Sequence, residues 1–218
     1  MSNEPITIEI VSDAVCPWCW IGKRRLDEAL AARPGLAVER VWRTYMLNPE
    51  MPAGGMDRDS YLAAKFGADR LPRLHEPLAA IGREEGIPFD FKAISVMPST
   101  VDAHRLARWA LTAGVQPQVV EDLFSRYFEQ GQDIGDPAVL VEAARSAGMD
   151  ADLVAELLAG EQDVERIRRE DTLARQIGVT GVPTFIINGK WALVGAQPAE
   201  QWVEVLDRVA AGEDLAAG

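Results

Sequence analysis

The sequence predicts an α/β protein in which strands from the two ends of the chain share one mixed sheet, with a large all-helical segment inserted between the halves. Three observations carry this reading. Residues 6–11 alternate in polarity as a strand does, and a helical pattern follows from Pro17. From about Asp57 to Gly178 the apolar residues recur at the helical period of about 3.6. After Gly178 strand-like runs return as a hairpin followed by a last helix. The order βαβ, helices, ββα assembles most simply with residues 1–56 and 179–218 in one domain and residues 57–178 inserted into it.

Taken in order, Ile6-Thr7-Ile8-Glu9-Ile10-Val11 forms the first strand, and a loop from Ser12 to Val15 leads into a helix running to about Ala32. Its inward face is Cys19, Gly22, Leu26, Ala29 and Leu30, with Lys23, Arg24, Asp27 and Glu28 outward. Pro34-Gly35 ends it, and Leu36 to Trp42 reads as a second strand, parallel to the first because a helix connects them. In the helical block, Leu71, Leu74, Leu78 and Ile81 share a face interrupted by Pro77, which predicts a kink. Ser99 with Asp102 resembles a capping box, Gly114 closes that helix, and Pro117 opens one ending at Gly131. Asp136-Pro137 opens a helix that ends at Gly148, and Asp150 caps a short one stopped by Gly160. Val164, Ile167, Asp171 and Ala174 line the last helix of the block. Thr184 to Ile187 and Trp191 to Val194 are strands joined through Asn188-Gly189, a strong hairpin signal. Pro198 starts a final helix with Trp202, Val205, Leu206 and Val209 on one face.

The 218 residues include 48% apolar residues, enough for a substantial core, and 22 basic against 34 acidic residues leave a net charge of −12. That balance opposes binding to nucleic acid or to an anionic membrane, which both need clustered positive charge. The basic clusters Lys23-Arg24-Arg25 and Arg166 to Arg169 sit beside acidic residues in helical patterns and read as solvated faces. The first apolar run is too short for a signal sequence or a membrane span, so a cytoplasmic location is expected.

In the cytoplasm thiols are kept reduced, so a purely structural disulfide would be out of place. Yet the only two cysteines, Cys16 and Cys19, stand three positions apart where the first strand gives way to the first helix. Pro17 suits the first helical position, which makes Cys16 the N-cap. There its sulfur can accept hydrogen bonds from the first-turn N–H groups and feel the helix dipole, both of which favour thiolate over thiol. Cys19 lies one turn in, on the buried face. An exposed, activated Cys16 that attacks and a shielded Cys19 that resolves are the parts that thiol–disulfide exchange requires. A zinc site would need two further ligands, and His75 and His104 each stand alone in a helical segment, so no metal is expected.

The run Ser12-Asp13-Ala14-Val15-Cys16-Pro17-Trp18-Cys19-Trp20-Ile21-Gly22-Lys23-Arg24 resembles the thioredoxin superfamily, and within it the FrnE-like members of the DsbA-like branch. Leu47-Asn48-Pro49, Ala103-His104-Arg105-Leu106, Gly181-Val182-Pro183-Thr184-Phe185 and Gly195-Ala196-Gln197-Pro198 extend the resemblance over nearly the whole chain. It implies a thioredoxin fold (βαβ…ββα) with a large helical insertion. It also implies that Pro183, on residue type alone an ordinary trans proline opening a strand, is a cis-proline facing the cysteines. Val182 would then present backbone groups beside Cys16, where an extended substrate could add as a strand. The resemblance further implies that the insertion and the Gly195–Gln197 loop wall the site. The expected catalytic residues are therefore Cys16, Cys19 and Pro183, and the expected substrate-binding residues Pro17, Trp18, Val182 and Gln197. FrnE-like relatives often carry Asn where Ser99 stands here, and His104 reads as a partly buried helix residue. Trp18 replaces the histidine of periplasmic DsbA, which points to a milder oxidant.

The implied function is a thiol–disulfide oxidoreductase of dithiol oxidase or disulfide isomerase type, acting on a protein, peptide or glutathione. It would hold no bound cofactor, with glutathione as a candidate co-substrate, and would be a monomer or homodimer. The alternative within the same fold is a glutathione-dependent 2-hydroxychromene-2-carboxylate isomerase or kappa-class transferase. Those enzymes carry serine at the first cysteine position, whereas this chain has Cys16 and a resolving Cys19. Trp18, Trp20, Trp42 and Met46 are expected to cluster near the pair as an apolar docking surface.

Overall fold

In β1 (Ile6–Ser12) the side chains of Ile6, Ile8 and Ile10 point into the core while Thr7 is exposed, the alternation read from the sequence. The computed structural model describes residues 4–215, apart from the side chains of residues 71 and 72. The outermost three residues at each end of the expected sheet domain, and the Leu71 side chain assigned to a helix face, thus lie outside the described residues. Helix α1 (Pro17–Ala31) connects β1 to β2 (Val38–Thr44), which runs parallel to β1 with Ile10 opposite Trp42. This strand begins and ends two residues later than expected, because the Leu36 amide closes a turn on the Arg33 carbonyl at 3.1 Å. On the other side of β1, β5 (Thr184–Ile187) pairs antiparallel, followed by β6 (Trp191–Val194), for a sheet order β2-β1-β5-β6. Asn188 (φ 49°) and Gly189 (φ 65°) adopt the left-handed conformations that a tight hairpin of this twist demands. Helix α10 (Ala199–Ala210) buries Trp202, Leu206 and Val209, and its Trp202 ring meets Phe185 edge-on at 4.8 Å.

The segment between the halves is not helical throughout. β3 (Met56–Asp57) and β4 (Val96–Met97) pair as a two-stranded ribbon, and the chain from Gly86 to Thr100 contains no helix. Pro88 and Pro98 deny that stretch helical amides. Helix α2 (Arg58–Phe66) is followed by a short 3-10 turn (Ala68–Arg70), α3 (Leu71–Leu74) and α4 (Glu76–Glu84). The chain breaks at His75, so Pro77 falls in the first turn of a new helix instead of kinking a continuous one. Helix α5 (Val101–Thr112) has Thr100 as its N-cap without a side-chain bond, and the Ser99/Asp102 capping box does not form. Asp102 instead pairs with Arg105 at 2.7 Å, a charge-assisted contact that outcompetes a neutral amide. Helix α6 (Gln116–Phe128) and α7 (Pro137–Ser146) follow, then α8 (Ala151–Ala159) and α9 (Val164–Gln176). Asp136 and Asp150 cap α7 and α8 as their positions predict.

One apolar core runs through both parts of the chain, from Ile8 and Ile10 across Trp20 and Leu26 to Phe124, Leu140 and Val154. Two details tie the parts together. Lys23, expected on the solvated face, is buried and holds Asp27 at 2.7 Å and Glu121 of α6 at 2.6 Å. Packing of α6 against α1 brings Glu121 to it, which helical spacing within α1 could not reveal. Gln116 lies against β2 at the sheet edge, accepting from the Trp42 amide at 2.9 Å and donating to the Trp42 carbonyl at 3.1 Å. It thereby satisfies backbone groups of an edge strand that would otherwise be orphaned in the core. Gln116→Ala is expected to cost about 1–3 kcal/mol, the penalty for leaving such groups unpaired. An unmoved urea midpoint for that variant would show that the edge does not depend on this amide.

Candidate active site

Cys16 is the N-cap of α1, in extended conformation (φ −98°, ψ 110°), with Pro17 in the first turn. The position is as expected but the sulfur is not. Cys16 is 4% exposed, as buried as Cys19 at 2%, and its side chain accepts no hydrogen bond from the helix. The Cys19 amide bonds the Cys16 carbonyl at 3.0 Å, while the Cys16 thiol lies 3.6 Å from the Val182 carbonyl and donates to it. A protonated thiol is a donor, so it turns to the acceptor that the facing loop supplies. Both cysteines are free thiols.

Burial, above all, pushes the Cys19 thiol well above its ordinary value, and contact with the Cys16 sulfur pushes the same way. The Ser12 hydroxyl and the Asp13 backbone act in the opposite sense without reversing it. Cys19 therefore keeps its proton at neutral pH until something removes it.

The facing loop is fixed by close packing. The Val182–Pro183 peptide is cis, and a Cβ on Gly22 of α1 would sit 3.0 Å from Pro183 Cγ and 3.2 Å from the Phe185 ring. Glycine at position 22 thus allows α1 to press the cysteine pair against residues 182–183. On the other side, buried Asp13 holds the chain after β2, accepting from the Leu47 amide at 2.7 Å while its own carbonyl accepts from the Cys16 amide at 3.0 Å. His104 Nε2 lies 3.3 Å from Asp13 Oδ1, close enough for an ion pair but outside hydrogen-bond geometry. His104 is thus brought beneath the cysteine loop, although its sequence context reads as ordinary helix. Ser99 is not among the residues that line the adjoining cleft.

Over Cys16 opens a cleft of about 570 Å³. Cys16, Pro17, Trp18 and Val182 border it, and Cys19 lies beneath. Gln197 does not reach it: its amide donates to the Val194 carbonyl at 2.6 Å, closing its own loop. The tryptophan cluster is not a docking surface either. Trp18 is 41% exposed, whereas Trp20, Trp42 and Met46 are buried in the core. Asn48, Arg58, Tyr61 and His75 form much of the opposite wall, and residue spacing alone assigned none of them a role. Among the described residues no His, Cys, Asp and Glu cluster could hold a metal ion, and no helix is long and apolar enough to cross a membrane.

Among known families, the DSBA-like thioredoxin domain matches residues 7–207 of the chain. The chain is 26% identical over 193 residues to YwbO of Bacillus subtilis, covering 88% of this chain and 90% of that one. A probable DsbA oxidoreductase from Streptomyces coelicolor is similar at 33% identity with a TM-score of 0.86, over 96% of this chain and 91% of its own. The cytosolic disulfide reductase DsbM from Pseudomonas aeruginosa, solved with GSH, shares the fold at 18% identity and a TM-score of 0.64, over 94% of this chain and 99% of its own.

Proposed function

The chain belongs to the DSBA-like thioredoxin domain family, and from that premise we propose that it exchanges disulfides through Cys16 and Cys19, with Cys16 as attacking and Cys19 as resolving thiol. The observation that carries this reading is the pair itself: two free thiols one helical turn apart, the first bordering a cleft and the second sealed under it. In the reducing direction Cys16 gives its proton to solvent and its thiolate attacks one sulfur of a bound disulfide. A mixed disulfide forms, and the first substrate thiolate leaves to take a proton from solvent. Cys19 then loses its proton, its thiolate attacks Cys16 Sγ, the Cys16–Cys19 bond closes and the second substrate thiol departs. Two electrons pass from the protein to the substrate, and oxidation runs the same steps backwards.

Gly181 and Val182 border the cleft, which supports docking of an extended substrate beside them as an added strand. The fold shared with DsbM supports glutathione as a co-substrate. With both cysteines of the chain in the exchange site, the protein fits a reducing, cytoplasmic compartment. The test is equilibration in a series of glutathione redox buffers, with the Cys16–Cys19 bond followed by alkylation mass shift and Cys16→Ser as control. A reversible midpoint is expected, and its value sets the favoured direction. A pair that never closes in the folded protein would overturn the reading and leave the glutathione-dependent isomerase or transferase chemistry to test.

A further inference from the structure

Among the described residues the buried lysine and arginine side chains are Lys23, Arg58 and Arg105. Two of them are neutralised. Lys23 holds Asp27 and Glu121, and Arg105 holds Asp102 together with the carbonyls of Leu157, Gly160 and Gln162. Arg58, only 5% exposed, has no acidic partner among the described residues. Its Nη1 donates to the Phe91 carbonyl at 3.3 Å, its Nη2 lies 2.9 Å from His75 Nε2, and its Nε is buried with no acceptor. The guanidinium sits 5.9 Å from the centre of the Phe91 ring, on which His75 also stacks. Its neighbour Asp57 turns away to cap the Ser60 amide, and Asp59 is exposed.

The titratable groups in contact with Arg58 are His75 and Tyr127, both uncharged at neutral pH, and the carboxylates of Asp13, Asp59 and Asp133 act on them only from a distance. Burial and the Arg58 charge pull His75 down to about 4, so at neutral pH it is an uncharged acceptor. Burial raises the Tyr127 phenol, which stays protonated. A buried guanidinium left uncompensated is costly, and proteins rarely keep one without a counter-charge. Arg58 lines the cleft over Cys16, and so does Lys65, whose ammonium meets Tyr61 Oη at 2.6 Å and Asn48 Oδ1 at 3.3 Å but no carboxylate. No Asp or Glu lines the cleft, although the chain carries 34 acidic residues against 22 basic. The missing counter-charge therefore belongs to whatever enters.

We propose that Arg58 and Lys65 form an anion subsite that holds a carboxylate of a low-molecular-weight thiol or disulfide while its sulfur meets Cys16. The inference rests on the exchange chemistry proposed above and names the class of substrate for it. A small acid suits the site better than a protein segment, because the cleft volume of about 570 Å³ lies in the range of small-ligand pockets. The carboxylate takes no part in electron transfer and serves only to fix the sulfur at the mouth of the cysteine loop.

Binding is tested apart from redox chemistry with S-methylglutathione, which cannot exchange, titrated calorimetrically into the Cys16→Ser protein. Arg58→Gln in that background is expected to weaken binding about tenfold or more, with Arg58→Lys restoring part of it. In the protein with both cysteines, Arg58→Gln should lower kcat/KM for oxidised glutathione about tenfold relative to the uncharged bis(2-hydroxyethyl) disulfide. Should Arg58→Gln fail to fold, Lys65→Ala carries the same comparison from the rim. Equal binding of S-methylglutathione with and without Arg58, or an unchanged ratio between the two disulfides, would overturn the subsite while leaving exchange intact. A loss seen only with an acidic peptide disulfide would overturn the small-molecule assignment. Arg58-dependent binding by a protein whose cysteines never exchange would sink the redox reading and keep the subsite.

Discussion

Serine at Cys19 is expected to stop the protein at the mixed disulfide. Cys16 still faces the cleft and can still attack, but the only sulfur able to displace the substrate has gone. Multiple-turnover exchange should fall on the order of 10³-fold or more, as when a residue acting as part of a unit is removed, while a covalent adduct of substrate mass accumulates on Cys16. The intact protein should show the complementary behaviour with pH. Because burial holds the Cys19 proton, resolution of the mixed disulfide in acid-quenched single turnovers should keep accelerating with pH beyond 9.0, the ordinary thiol value. The same shift has a consequence for stability. A thiol whose pKa is raised on folding favours the folded state below its ordinary value and loses that contribution as pH climbs through the raised one. Above pH 9.0 the reduced protein should therefore lose more stability than the oxidised protein, which has no thiol to titrate. Full turnover by the Cys19→Ser protein would mean that substrate thiols resolve the intermediate themselves, and the second cysteine would lose its assigned role.

The parts of this site that local spacing could reveal, and those that it could not, divide along a physical line. Strand alternation in β1, the Asn188-Gly189 turn, the caps at Asp136 and Asp150 and the Cys16-Pro17-Trp18-Cys19 junction are all encoded within a few residues. They were legible for that reason. The burial of Lys23 depends on Glu121, the place of His104 depends on Asp13, and the place of Arg58 in the cleft wall depends on where α2, α4 and α6 come to rest. None of these partners is near in sequence. Cys16 is buried although an N-cap is exposed in an isolated helix, because here the residues around Pro183 close over it. Gln197 stays out of the cleft for the opposite reason, since a nearby carbonyl at Val194 captured its amide before the cleft could. A single buried arginine at the first position of α2 leaves no periodic trace; its signal is the absence of an acid, which only the folded neighbourhood displays.

The two tryptophans beside Cys19 make the same division measurable. Trp20 is fully buried, with Phe89, Phe124 and Phe128 rings at 5.5, 5.9 and 6.0 Å and its indole N–H on Glu121 at 3.3 Å. It is the point where α1, which carries the cysteine pair, is keyed into the helical block. Trp20→Ala is expected to cost about 3–5 kcal/mol, the range for removing a large aromatic from a core. Trp18 is 41% exposed at the rim of the cleft, and Trp18→Ala should stay within about 0.5 kcal/mol, as surface substitutions do. Phe128 also lines the cleft, so the cavity left by Trp20 undermines the wall that faces Cys16. Exchange by Trp20→Ala should then weaken through a higher KM, even at temperatures where the protein remains folded. Urea midpoints separate the two substitutions directly. Equal midpoints would mean that the cysteine helix is held by the sheet alone, and that the helical block contributes the cleft wall without bracing the thiols it faces.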